Sequence, residues 1–170
     1  MHLRKVLELV VYSSFLANGD ALASVPNFHG MRKAKKILLQ LEKINPHFFP
    51  VAANKELGAN GELRLSFPTS DEHFHMGEFA PLYDSCSTAL HVMNPFSTPT
   101  PQDLGRPINE WVRRLRELLK THLVVMSPTE RLLVEMLPSD DHRAHYYHLV
   151  SSSHLAGSGP AKPSRPISSA

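Results

Sequence analysis

Four segments in which apolar residues recur at spacings of three and four, followed by short β-favouring runs cut by turn residues, predict an α+β fold. The expected architecture is about four helices packed with a C-terminal three-stranded antiparallel sheet, with an additional hairpin near residues 51–67. The 170 residues suffice for one domain with a real core, taken as 1–150. A Ser-, Pro- and Gly-rich stretch, 151–170, carries too little apolar surface to fold and is expected to be a disordered tail.

The first helix, Leu3 to about Leu16, is apolar over most of its circumference, through Leu3, Val6, Leu7, Val10, Val11 and Phe15. Its basic, apolar and small residues follow the order of a secretory signal. Glu8 inside the apolar part and Asp20 beside the would-be cleavage point favour a core helix instead, with Arg4 and Glu8 paired at i, i+4. A second helix, Met31 to Ile44, has the stripe Met31, Ala34, Ile37, Leu38, Leu41 and Ile44. Arg32, Lys33, Lys35 and Lys36 lie mainly opposite, and Asn45-Pro46 ends it. Leu63, Leu65 and Phe67 then alternate with polar residues after the turn signal Asn60-Gly61, and a partner strand is expected within Val51 to Leu57. Pro68 to Met76 reads as a connector.

Gly77 to Phe96 is the central helix, with Phe79, Leu82, Tyr83, Cys86, Ala89, Leu90 and Met93 on one side. Pro81 is expected in its first turn and Asn94-Pro95 at its stop. The proline-rich loop 95–107 leads to a fourth helix, Ile108 to Thr121. There Ile108, Trp111, Val112, Leu115, Leu118 and Leu119 form the buried face, and Arg113, Arg114, Arg116 and Lys120 crowd the remainder. Leu123–Met126, Leu132–Leu137 and Ala144–Val150 are the three sheet strands.

A formal charge of +2 is too small to argue for nucleic acid by itself. One cysteine excludes an internal disulfide and a four-sulfur zinc site, and favours a reducing, cytoplasmic setting. No apolar run approaches the roughly 20 residues that span a bilayer.

Candidate chemistry is sparse. Asp84, Ser87 and His91 share a polar line on the central helix, but Asp84 lies roughly 10 Å along the axis from His91, too far for a working triad. Cys86 sits inside the apolar stripe, about 140° around the helix from His91, and reads as a buried thiol. His73 and His75 with His91, or His142, His145 and His148 near Asp140 and Asp141, are the residues that could offer nitrogen ligands to zinc. On a strand His145 and His148 point to opposite faces, neither group has zinc-site spacing, and no metal or cofactor is expected. Arg32, Lys33, Lys36, Arg113, Arg114 and Lys120 would form a phosphate-binding surface if the two basic helices faced the same way.

Arg116 to His122, RELLKTH, resembles the spaced Arg–His pattern of the HEPN superfamily, small helical domains many of which cleave RNA. Arg143 to His148, RAHYYH, also fits that spacing, although in a predicted strand. The resemblance covers seven residues and departs from the family at Glu117, where Asn, Asp or His is usual. It implies a dimer in which Arg116 stabilises phosphate charge and His122 acts as acid or base. With Asp84 and His91, these are the candidate catalytic residues. The reading favoured by the residues themselves is a protein-interaction or accessory module without catalysis. RNA cleavage and sequence-independent nucleic-acid binding are the alternatives.

Overall fold

Leu3, Leu7, Val10 and Val11 recur at helical spacing, and α1 (Leu3–Ala17) buries them. Arg4 Nε donates to Glu8 Oε1 at 3.1 Å, as the i, i+4 spacing dictates. Tyr83 joins the pair from across the core, its hydroxyl donating to the same carboxylate at 3.1 Å. A four-residue α2 (Gly19–Leu22) follows. The next helix, α3 (Ala34–Ile44), buries Ala34, Ile37, Leu38 and Leu41. It starts at Ala34 rather than Met31: its N-cap residue, Lys33, is extended (φ −98°, ψ 114°) and makes no side-chain capping hydrogen bond. These coordinates come from a computed structural model that describes residues 2–23, 25–26, 30–31, 33–90, 104–136 and 143–151. Arg32, His91, most of the proline-rich loop, Asp140 to His142 and the stretch from 152 onward lie outside the described residues.

The central helix, α4, is described over Met76–Leu90. Glu78 sets its start by reaching back to accept the His75 backbone N–H at 3.3 Å, the acidic half of a capping box. Phe74 and Phe79 occupy the positions that flank such a cap, and both are buried in the main core. Pro81 consequently sits inside the helix rather than in its first turn, and the carbonyl of Gly77 loses its usual intrahelical donor.

The sheet has four strands in the order β1 (Val51–Ala52), β4 (Thr121–Val125), β5 (Glu130–Glu135), β6 (His145–Val150), antiparallel throughout. The predicted meander is its last three strands. The short β1 adds an edge, pairing Val51 with Leu123 and Ala52 with His122. The predicted hairpin is β2 (Asn54–Leu57) with β3 (Leu63–Ser66), and Gly61 in its turn holds φ 77°, a conformation that favours glycine. α5 (Ile108–Lys120) runs into β4 without a loop, since Thr121 is already extended.

Alternation along the strands divides the core in two. Ala52 faces the helices and joins the large cluster that includes Leu7, Leu41, Phe79 and Leu118. Ala53, Leu123 and Leu133 form a smaller cluster on the hairpin side, with Leu65 and Leu149 against it. α5 packs on β1 and β4, and β2 packs on β4, so α5 and the hairpin approach the sheet near one end. Among the described residues no helix is long and apolar enough to cross a membrane.

Candidate functional site

Spacing places Arg114 on the wrong side of α5 for a surface cation. It lies three residues after Trp111 and four before Leu118, both buried, and is itself only 2% exposed. A buried guanidinium needs its charge met and most of its donors engaged, and among the described residues only Nε of Arg114 lacks a partner. Arg114 Nη1 donates to the Asp71 carbonyl. Nη2 donates to the Ser70 carbonyl at 3.0 Å and to Glu78 Oε2 at 2.8 Å. The Phe74 N–H in turn donates to the Arg114 carbonyl at 3.1 Å. One residue thereby staples the Ser70–Glu78 stretch to α5. Glu78 also has His75 Nε2 at 3.7 Å and Arg106 Nε at 3.8 Å, so three basic side chains surround one carboxylate.

Two clefts flank α5. The first, about 550 Å³, lies where the stapled loop meets the start of β2 and the end of the sheet. Its wall includes Lys55, Arg113 and Lys120 together with Glu72, Glu117 and Glu135. Lys55 is held by Glu135 at 2.6 Å, and that hydrogen bond raises its pKa. Arg113 is held by Glu110 at 2.8 Å and donates to the Glu72 carbonyl at 3.3 Å. Among the described residues no ion pair engages the carboxylates of Glu72 and Glu117 or the Lys120 ammonium. His73 closes one wall. It is 6% exposed, and burial holds its pKa below the ordinary histidine value against a backbone hydrogen bond at Thr69 that acts the other way; among the described residues its Nδ1 is buried without a hydrogen bond.

The second cleft, about 590 Å³, is a groove between α1 and α5, lined by Leu3, Val6, Ile108, Val112, Leu119 and Met136 among others. Ile108 is 58%, Val112 52% and Met136 46% exposed. The ionisable side chains lining it are His2 and Arg116, both bases.

The residues singled out from the sequence are dispersed. Asp84 is exposed and paired with Lys35 Nζ at 2.5 Å. Ser87 donates to the Tyr83 carbonyl at 2.8 Å rather than to a base, and His91 lies outside the described residues. Arg116 stands exposed at the apolar groove. His122 is buried on β4, its Nδ1 3.3 Å from the Leu119 carbonyl, and burial lowers its pKa. The two share none of the clefts described here. Lys33, just before α3, and Lys36 on it are exposed, and α3 packs against α1 and α2, whereas Arg113 and Lys120 belong to α5 on β1 and β4. Cys86 is buried and burial pushes its thiol pKa up. His145 and His148 occupy opposite faces of β6. Among the described residues no three His, Cys, Asp or Glu side chains are grouped to hold a metal.

Arg114 and Glu78 are the polar residues that sequence reasoning placed outside or passed over, and His73 figured there only as a candidate zinc ligand. The signal for Arg114 was its position between Trp111 and Leu118. For Glu78 it was the cap spacing from His75. The burial of His73 had no local signal, since nothing in its immediate sequence sets its exposure. Comparison of the chain with protein-family models, curated proteins and solved structures returned no match.

Proposed function

We propose that the protein acts by binding another protein, in a cytoplasmic setting, and that the α1–α5 groove seats an amphipathic helix of the partner with an acidic side chain facing Arg116. The observation that carries this reading is the exposure of Ile108, Val112 and Met136 around one continuous apolar groove. Ile108, Val112, Leu115 and Leu119 recur at spacings of four, three and four, which is the seam a further helix packs into. Covering side chains that stand about half exposed contributes roughly 1 kcal/mol each. The lining offers bases and no acid, so a carboxylate on the incoming helix is the complementary charge.

Binding is favoured over RNA cleavage because Arg116 is in the open groove while His122 is buried against Leu119. A phosphate-binding surface has less support, since Arg114 is buried, Arg113 is held by Glu110 and Lys35 by Asp84.

A photoreactive residue at position 112 tests the proposal. The crosslinked segment should be helical, apolar on one face and acidic. A synthetic peptide of it should bind the wild-type protein and at least tenfold more weakly both Val112→Asp and Arg116→Glu. A crosslink to a second copy of the chain, or peptide binding indifferent to both substitutions, overturns it.

A further inference from the structure

The four-stranded sheet has two edges, and they are finished differently. β1 is two residues long and follows Pro50, so little of it is open to pairing. β6 is the other edge and runs six residues, HYYHLV, without the charged residues or proline that ordinarily keep an edge strand from pairing. The phase of the hydrogen bonds identifies its open groups. The Ser151 N–H donates to the Thr129 carbonyl at 2.9 Å, and bonding alternates along an antiparallel ladder, so Leu149, Tyr147 and His145 turn their backbone groups toward β5. Tyr146, His148 and Val150 turn theirs away, and among the described residues no backbone group meets them. Tyr146 is 65% and Val150 41% exposed.

We infer that this edge pairs with the same edge of a second copy of the chain, antiparallel and about a twofold axis at His148, joining two sheets into one. The register follows from the phase. A twofold axis perpendicular to the sheet sets residues of like face opposite one another. Centred on His148, it places Tyr146 opposite Val150 of the second copy and His148 opposite itself, so the N–H and C=O of all three outward residues are satisfied. A shift in either direction carries Tyr146 or Val150 past the end of the opposing strand. The side chains agree with this register. Tyr146 meets Val150 on one face and Tyr147 meets Leu149 on the other, aromatic against aliphatic, the kind of pair that stabilises antiparallel strands. None of the six side chains carries a fixed charge, so the edge does not repel its own copy. Two such strands, each with two tyrosines, cover on the order of 1,000 Å², the low end of specific interfaces, and the dimer is therefore weak and forms with concentration. α5 packs on β1 and β4, with β5 between them and the paired edge, so this contact needs no residue of the α1–α5 groove.

Sedimentation equilibrium of the full chain tests the inference. The average mass should rise from monomer toward dimer between micromolar and sub-millimolar concentration. Tyr146→Lys, which puts a charge on the edge, and His148→Pro, which removes the N–H at the axis, should each weaken association at least tenfold. Tyr146 is exposed and the His148 N–H faces away from β5, so melting temperatures should stay within a few degrees of wild type. Mild oxidation reads the register. A residue facing itself across a hydrogen-bonded pair has Cα atoms about 5.5 Å apart, within disulfide reach, so His148→Cys should yield a disulfide-linked dimer. Tyr146→Cys, about 14 Å from its counterpart, should not. Val112→Asp, in the apolar groove, should leave association unchanged. The inference is overturned if the wild-type chain stays monomeric throughout, which would leave the edge to a strand of a different protein. It is equally overturned if Tyr146→Lys associates as wild type does, or if Tyr146→Cys crosslinks as readily as His148→Cys.

Discussion

The two clefts flanking α5 are bounded by the same helix and have similar volume, yet different things hold them open. The apolar groove is the space between two regular helices. Its walls are set by local periodicity, and its side chains stand half exposed without compromising the fold. The polar cavity is bounded by a stretch of irregular chain that keeps its shape because Arg114 holds it. A surface made by helical repetition tolerates substitution residue by residue. One made by a single buried charge does not.

The largest expected effect therefore comes from removing that charge. Arg114→Ala leaves Glu78 without its best-buried partner and frees the Ser70 and Asp71 carbonyls, which should cost about 3–5 kcal/mol in urea unfolding. In a variant that remains folded, amide exchange should accelerate over Ser70–Phe74 and stay unchanged in α1. Equal acceleration in both would show that groove and cavity are not separately supported.

Next comes the smaller core cluster beneath the hairpin. Leu133 is fully buried there, and Leu133→Ala should cost about 2–4 kcal/mol by the same measurement. A loss below about 1 kcal/mol would mean that the hairpin side of the sheet collapses to fill the space.

A pH dependence follows in size. His73 and His122 both have folded pKa values held below the ordinary histidine value by burial. Their contribution to stability is complete above the unfolded pKa, near 6.5, and is lost as pH falls from there through the folded values. Each should add a slope of at most about 1.4 kcal/mol per pH unit in that window. Unfolding midpoints at pH 7.5, 6.5 and 5.5 should fall accordingly, and His122→Gln should flatten the trend. An unchanged trend would assign the loss to other groups.

The smallest effect is expected in the groove. Val112→Asp should change folding stability by no more than about 0.5 kcal/mol, because the side chain is half exposed, while abolishing partner binding. A destabilisation of several kcal/mol would make Val112 a core residue and remove the groove as a docking surface.

The elements built by short-range rules were legible in the sequence. The stripes of α1, α3 and α4, the hairpin around Gly61 and the β4–β6 meander follow from spacing and turn chemistry, and Cys86 is buried where its stripe puts it. By contrast, α5 buries Trp111, Leu115 and Leu118 of its expected face but leaves Ile108 and Val112 more than half exposed. β1 was not legible as a sheet strand, because two residues carry no periodicity and its pairing with β4 spans about seventy positions. Pro81 fell inside α4 because Glu78 and His75 start that helix earlier than proline placement alone implies. The polar cavity was the least legible part. Counting every arginine of α5 as a surface cation hid Arg114, and Pro68 to Met76 contains no pattern that reveals what grips it.

The grip itself has an evolutionary consequence. Apart from Glu78, Arg114 holds the loop by main-chain carbonyls, those of Ser70 and Asp71, and any amino acid supplies the same oxygen. Selection can exchange the side chains at 70, 71 and 72 while the loop keeps its course. The cavity wall is thus free to acquire new chemistry as long as one arginine and one glutamate are kept.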